Sequence, residues 1–212
     1  MASGGGKVDE GSHRMVLYNE RWVQLGILSL LALLSDWICF SMVAAPGVWE
    51  NAQGHDFAEL LDLFLFVNVA SCLFFTDIAK KFGLKNVVVA ASILMSAGAL
   101  LRSGIPFIND GLPSYAMITA GTVLVGAAQP FFQCTPPLLS ATWFGNKERA
   151  LSTAIAINFN QVGIATAFIV GGLLVKDPVD LPFYFSTISV FTVAITAATV
   201  LLFKDRPPTP RS

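Results

Sequence analysis

Asp36 is a carboxylate in the middle of an apolar run: no other residue between Trp22 and Val48 is charged. An acid at such a position costs about 2.5–3.5 kcal/mol on membrane-insertion scales, so it asks for a role. Beside it stands Trp37, whose indole offers an electron-rich face. Both groups suit a cation, and a desolvated cation over such a ring gains about 2 kcal/mol. Neighbours on a helix point about 100° apart, so the two side chains do not share one face. Two readings stay open at this stage. The pair forms one wall of a polar cavity, or it is a packing Trp next to a hydrogen-bonded Asp.

Amides provide the other polar groups in apolar surroundings. Gln129 and Gln133 are four residues apart on one helix face. Asn158, Asn160 and Gln161 cluster further on, and Asn68 stands alone. Interhelical amide bonds are common structural glue, worth about 0.6 kcal/mol each. A mid-run acid, a mid-run Trp and amides on other helices still outline a solvated central cavity. The substrate-binding candidates are therefore Trp37, Asp36, Gln129, Gln133, Asn160 and Gln161. Gly163, Ala167 and Gly171, spaced by four, form a small-residue stripe for close helix packing.

Other chemistry finds little support. There is no HExxH, no GxSxG and no pair of mid-run acids, and His13 and His55 fall outside the apolar runs. Cys39, Cys72 and Cys134 lie inside apolar runs without metal-ligand or CxxC spacing and read as buried free thiols. No enzyme activity, cofactor or metal site is expected.

The elements that hold these residues follow from composition. Of 212 residues, 54% are hydrophobic and 13% charged, against about 25% charged in a soluble domain. Mean hydropathy is +0.66. These values exclude a disordered chain and most soluble folds, and a net charge of -1 leaves no basic field for nucleic acid. Six runs fit or nearly fit the roughly 20 residues of a bilayer-crossing helix: Trp22–Val48, Leu60–Thr76, Asn86–Leu101, Ser114–Thr142, Ala150–Val175 and Phe183–Phe203. Arg102 is expected to snorkel at the end of the third, and Pro130, Pro136 and Pro137 to kink the fourth. Trp22, Trp49 and Trp143 stand at span ends and suit an interfacial aromatic belt.

Residues 1–20 read as a flexible cytoplasmic tail, 21–204 as a six-helix membrane domain, and 205–212 as the start of a polar linker or tail. Lys7, Arg14, Arg21, Lys80, Lys81, Lys85, Lys147, Arg149, Lys204, Arg206 and Arg211 fall on one side, leaving Arg102 and Lys176 on the other. The positive-inside rule then makes both termini cytoplasmic. The membrane, plasma or internal, is left open. Between the second and third runs, Asp77, Lys80, Lys81, Gly83 and Lys85 read as a basic cytoplasmic loop.

Several segments carry a resemblance: Ala128-Gln129-Pro130-Phe131, Trp143-Phe144-Gly145, Asn160-Gln161-Val-Gly163, Trp37-Ile-Cys-Phe-Ser41 and Gly83-Leu84-Lys85. Together they resemble the feline leukaemia virus subgroup C receptor-related family, a branch of the major facilitator superfamily. The likeness runs from Arg21 to Phe203. It implies an all-α transmembrane fold, a six-helix bundle forming one half of a facilitator with a 3+3 inverted repeat. It also implies alternating access, with cargo such as a choline-like cation or a haem-related metabolite. In choline-carrying members a Trp matching Trp37 and a Gln matching Gln129 line the pocket, while Asp36 stands where the family has a neutral residue. The Asp77–Lys85 segment is a degenerate form of the superfamily's gate motif, with Lys80 in the usual Asp place. The expected partners are a small-molecule substrate, the lipid bilayer, and a second six-helix half or another copy of the chain. The alternative is a non-transporting six-helix subunit or regulator derived from such a half.

Overall fold

The computed structural model of the chain describes residues 19–106, 108 and 111–206. Nearly all of the expected tail, with Lys7, His13 and Arg14, lies outside the described residues. So do Asp110 and residues 207–212 with Arg211. The elements are α1 (Glu20–Phe40), α2 (Pro46–Gln53), α3 (Phe57–Phe82), α4 (Leu84–Leu101), α5 (Tyr115–Gln133), α6 (Pro136–Trp143), α7 (Arg149–Leu174) and α8 (Leu181–Leu202), with a 3₁₀ turn at Pro178–Asp180. Six stretches are long and apolar enough to cross a membrane, with α5 and α6 counting as one. The described residues form an all-helical bundle with six candidate spans, as the apolar runs require.

Local chemistry sets the helix ends. Asp56 caps α3 by accepting the Ala58 amide at 2.8 Å, and Ser114 caps α5 through the Met117 amide at 3.4 Å. Pro46 opens α2 and Pro136 opens α6, where a fixed φ suits the first helical turn. These prolines also explain two departures from the expected spans. The first run is not one helix: α1 stops at Phe40 and α2 begins five residues beyond Ser41. The fourth breaks at Cys134–Thr135, not at Pro130, which stays inside α5. Pro136 and Pro137 both lack the amide hydrogen that would bond the carbonyls of Phe132 and Gln133.

α1 packs on α7, and α3 packs on α5. α1 and α5 each break at their later end. Each short helix after a break carries a Trp, and both are buried with an unpartnered indole nitrogen: Trp49 in α2 and Trp143 in α6. Trp49 and Trp143 therefore pack inside the chain and not in a lipid-facing belt. Trp22 alone of the three is exposed.

The core follows α1, whose Leu28 and Leu31 are fully buried. By contrast α3 leaves Phe66, Leu73 and Phe74 exposed, and α7 leaves Ile169 and Leu173 exposed. At the end that carries Asn19, Arg21 pairs with Glu148 at 2.8 Å and lies over Phe144, while Lys204 pairs with Glu20 at 2.8 Å. The Trp143-Phe144-Gly145 segment thus docks the end of α6 on the start of α1.

Candidate functional site

α1 sends Asp36 and Trp37 in different directions, as their adjacency on a helix requires. Asp36 turns toward α5, where Gln129 Nε2 donates to its Oδ1. Gln129 Oε1 in turn accepts from Asn68 Nδ2 on α3. The result is a continuous chain, Asn68 to Gln129 to Asp36, across three helices. Its geometry depends on a close crossing one turn away: a Cβ on Gly126 would lie 3.0 Å from the Phe64 carbonyl oxygen. That approach of α3 to α5 also lets Ser71 donate to the Ala127 carbonyl at 2.7 Å. Asp36 is 5% exposed, and no cation among the described residues lies within ion-pair distance of it.

Trp37 faces the other way. Its Nε1 donates to Tyr184 Oη on α8 at 3.0 Å, and that hydroxyl donates to the Ala167 carbonyl on α7 at 3.2 Å. The indole lies against Phe191 with ring centroids 6.2 Å apart. Trp37 retains 8% of its surface. Gln133, one turn beyond Gln129, is half-buried and makes no side-chain hydrogen bond among the described residues. Asn160 is half-buried, with Oδ1 shielded and without a donor, and Gln161 is exposed. Asn158 bonds locally to the Ala154 carbonyl at 2.8 Å. The structure therefore joins Asp36 and Gln129 directly and brings in Asn68. It leaves Gln133, Asn160 and Gln161 unjoined to that chain by hydrogen bonds.

Arg102 does not snorkel. It is 2% exposed, donating through Nη1 to the Ile38 carbonyl at 3.1 Å and through Nη2 to Ser41 Oγ at 2.9 Å. It also lies over the Phe185 ring, 5.5 Å from the centroid. The reason is the early end of α1, whose last turn is the negative end of a helix dipole. A guanidinium there adds a further donor to the Ile38 carbonyl, which also accepts from Ser41. Sequence spacing gives no sign of this contact, because Arg102 and Ile38 are 64 residues apart.

The expected basic loop is not a loop. Asp77, Lys80 and Lys81 lie in the last turns of α3, and only Gly83, with φ +80°, separates α3 from α4. The helix continues through Phe82, and the positive φ that follows is one glycine adopts without strain. Asp77, Lys80 and Lys81 are all exposed, with Lys81 over the Phe82 ring at 5.3 Å. The acid that engages this hairpin is Asp205, which accepts the Lys85 backbone amide at 3.0 Å from 120 residues away. It caps the start of α4 from the segment after α8. Between these parts lies a cavity of about 540 Å³, lined by Phe75, Lys80, Gly83, Cys134 and Asp205 among others. Asp205→Ala is expected to lower stability by about 1 kcal/mol, the usual cost of a lost helix cap, read as thermal unfolding in detergent. Asp205→Asn, which still accepts the amide, restores most of it. Equal losses in both variants would contradict the capping role.

Comparison with known proteins gives the same architecture a family. The family model described as Major Facilitator Superfamily matches residues 25–212. The Solute carrier family 49 member 4 homolog of Xenopus tropicalis is 31% identical, over 92% of this chain and 47% of that protein. Solute carrier family 49 member A3 of Danio rerio is 27% identical, over 96% of this chain and 44% of that protein. The Choline/ethanolamine transporter flvcr2a of Danio rerio is 27% identical, over 92% and 43%. The chain spans about half the length of the curated relatives it matches.

Proposed function

The chain belongs to the Major Facilitator Superfamily, and from that premise we propose that it forms the substrate-facing six-helix half of a facilitator for a small, choline-like organic cation. The observation that carries this reading is Asp36: a buried carboxylate in the last turns of α1, held by an amide, with no cation among the described residues beside it. A buried carboxylate without a counter-charge is costly, and a cationic cargo supplies that charge. Trp37 borders the pocket on its other side, and Gln133, Asn160 and Gln161 line the path toward a second six-helix half. That half seats on the open apolar faces of α3 and α7 and closes the cavity by alternating access. The name of one relative, a choline/ethanolamine transporter, supports the cargo class.

Uptake of radiolabelled choline into proteoliposomes containing the full-length protein tests the reading. Saturable uptake, competed by other quaternary ammonium compounds, is expected. Uptake of no organic cation above that of empty liposomes would overturn it.

The same reading places both termini in the cytoplasm and gives the Asp77–Lys85 segment a gating role. Asp77, Lys80, Lys81, Gly83 and Lys85 steady one conformational state without touching cargo. Single cysteines at positions 81 and 147 are expected to react with an impermeant maleimide only from the cytoplasmic side, and those at 56 and 180 only from the opposite side. Labelling of position 81 from outside would reverse the orientation.

A further inference from the structure

Only one of the three cysteines is the buried thiol that their apolar surroundings predict. Cys39 is buried, Cys72 is exposed on α3, and Cys134 is half-buried at the point where α5 breaks. The Cys72 and Cys134 Sγ atoms lie 3.8 Å apart, although the residues are 62 positions apart in the chain. A disulfide needs an S–S separation of about 2.05 Å, so a movement of about 2 Å, within reach of side-chain rotation, closes the gap. Cys134 also lines the 540 Å³ cavity that holds Thr76, Lys80, Asp205 and Arg206. The exposure of Cys72 and this open cavity beside Cys134 give a small oxidant a route to the sulfurs.

We propose that Cys72 and Cys134 are a reversible modification site, in which a peroxide links them as a disulfide and staples α3 to the break between α5 and α6. One thiolate attacks the peroxide O–O bond, forming a sulfenic acid and releasing hydroxide, which leaves as water. The second thiol attacks that sulfur, the S–S bond forms, the S–O bond breaks, and a second water leaves. The two thiols lose two electrons and two protons, and the peroxide is reduced to two waters. A dithiol reductant reverses the link by thiol–disulfide exchange. The location gives the bond its consequence. It fixes the break between α5 and α6 against a neighbour whose helix is continuous from Phe57 to Phe82.

The test uses the full-length protein in membranes treated with hydrogen peroxide, followed by denaturation, maleimide blocking and peptide mass spectrometry. A linked Cys72–Cys134 peptide is expected, absent after dithiothreitol and absent in Cys72→Ser and Cys134→Ser. Oxidation is also expected to raise the melting temperature in detergent by about 5 °C, with no rise in either variant. Failure to recover the linked peptide at peroxide concentrations that oxidise other thiols of the sample overturns the proposal. So does a linked protein whose melting temperature is unchanged. Neither readout depends on transport, so the result stands apart from the cargo assigned above.

Discussion

Asp36→Asn is expected to cut uptake of a choline-like cation by the full-length protein at least tenfold while leaving the fold almost intact. The Asn oxygen still accepts from Gln129 Nε2, so the chain from Asn68 through Gln129 survives. What disappears is the charge. A unit charge pair 4 Å apart at an effective dielectric of 20 is worth about 4 kcal/mol, and tenfold in rate needs only about 1.4 kcal/mol, so tenfold is a floor. Gln129→Ala separates charge from structure in the opposite way. It leaves the Asp36 carboxylate and the Asn68 amide without their shared partner, and stability falls by about 1–3 kcal/mol. Trp37→Phe keeps an aromatic face and loses the bond to Tyr184, so it is expected to retain more uptake than Trp37→Ala. Initial uptake rates and thermal unfolding of the same preparations provide the comparison. Wild-type uptake of each cation by Asp36→Asn would remove the carboxylate from the site.

Gly163→Ala is expected to destabilise the bundle by about 2–3 kcal/mol, with Gly172→Ala as its control. α7 packs on α1 with Gly163 directly over the backbone of Leu33. A Cβ there would fall well inside contact distance of the Leu33 carbonyl oxygen and 3.0 Å from the Leu33 carbonyl carbon. Backbone cannot rotate away as a side chain can, so the two helices must separate, and overpacking of this kind costs typically about 1–3 kcal/mol. Gly172, nine residues along the same helix, has open space around it, with nothing within 4 Å of where an alanine methyl would stand. Alanine there is expected to be neutral or to stabilise by about 0.5–1 kcal/mol through helix propensity. Thermal unfolding in detergent separates the two, and equal melting temperatures would show that α1 and α7 are free to move apart.

The small-residue stripe was legible because its period is that of a helix: Gly163, Ala167 and Gly171 are all buried, as four-residue spacing on a packed face requires. What they touch was not legible. The same division runs through the candidate site. An acid and an amide in apolar runs are visible in one dimension, since hydrocarbon tolerates few of them. That Gln129 meets Asp36, while adjacent Trp37 meets Tyr184, depends on how α1 is rotated against α5 and α8.

By itself the sequence determined the number of spans, their order and the prolines that interrupt them, because hydropathy over a window and the missing amide of proline are local properties. It also determined that a carboxylate would sit inside an apolar run, although α1 ends at Phe40 and leaves Asp36 one turn from that end, not in the middle of a span. Only the tertiary structure decided which groups that carboxylate meets. It turned Arg102 inward onto Ile38 and Ser41, sent Asp205 to cap α4, and set Cys72 beside Cys134. Each of those contacts joins residues at least 61 positions apart. Helix rotation and crossing set them, and neither leaves a period in the chain.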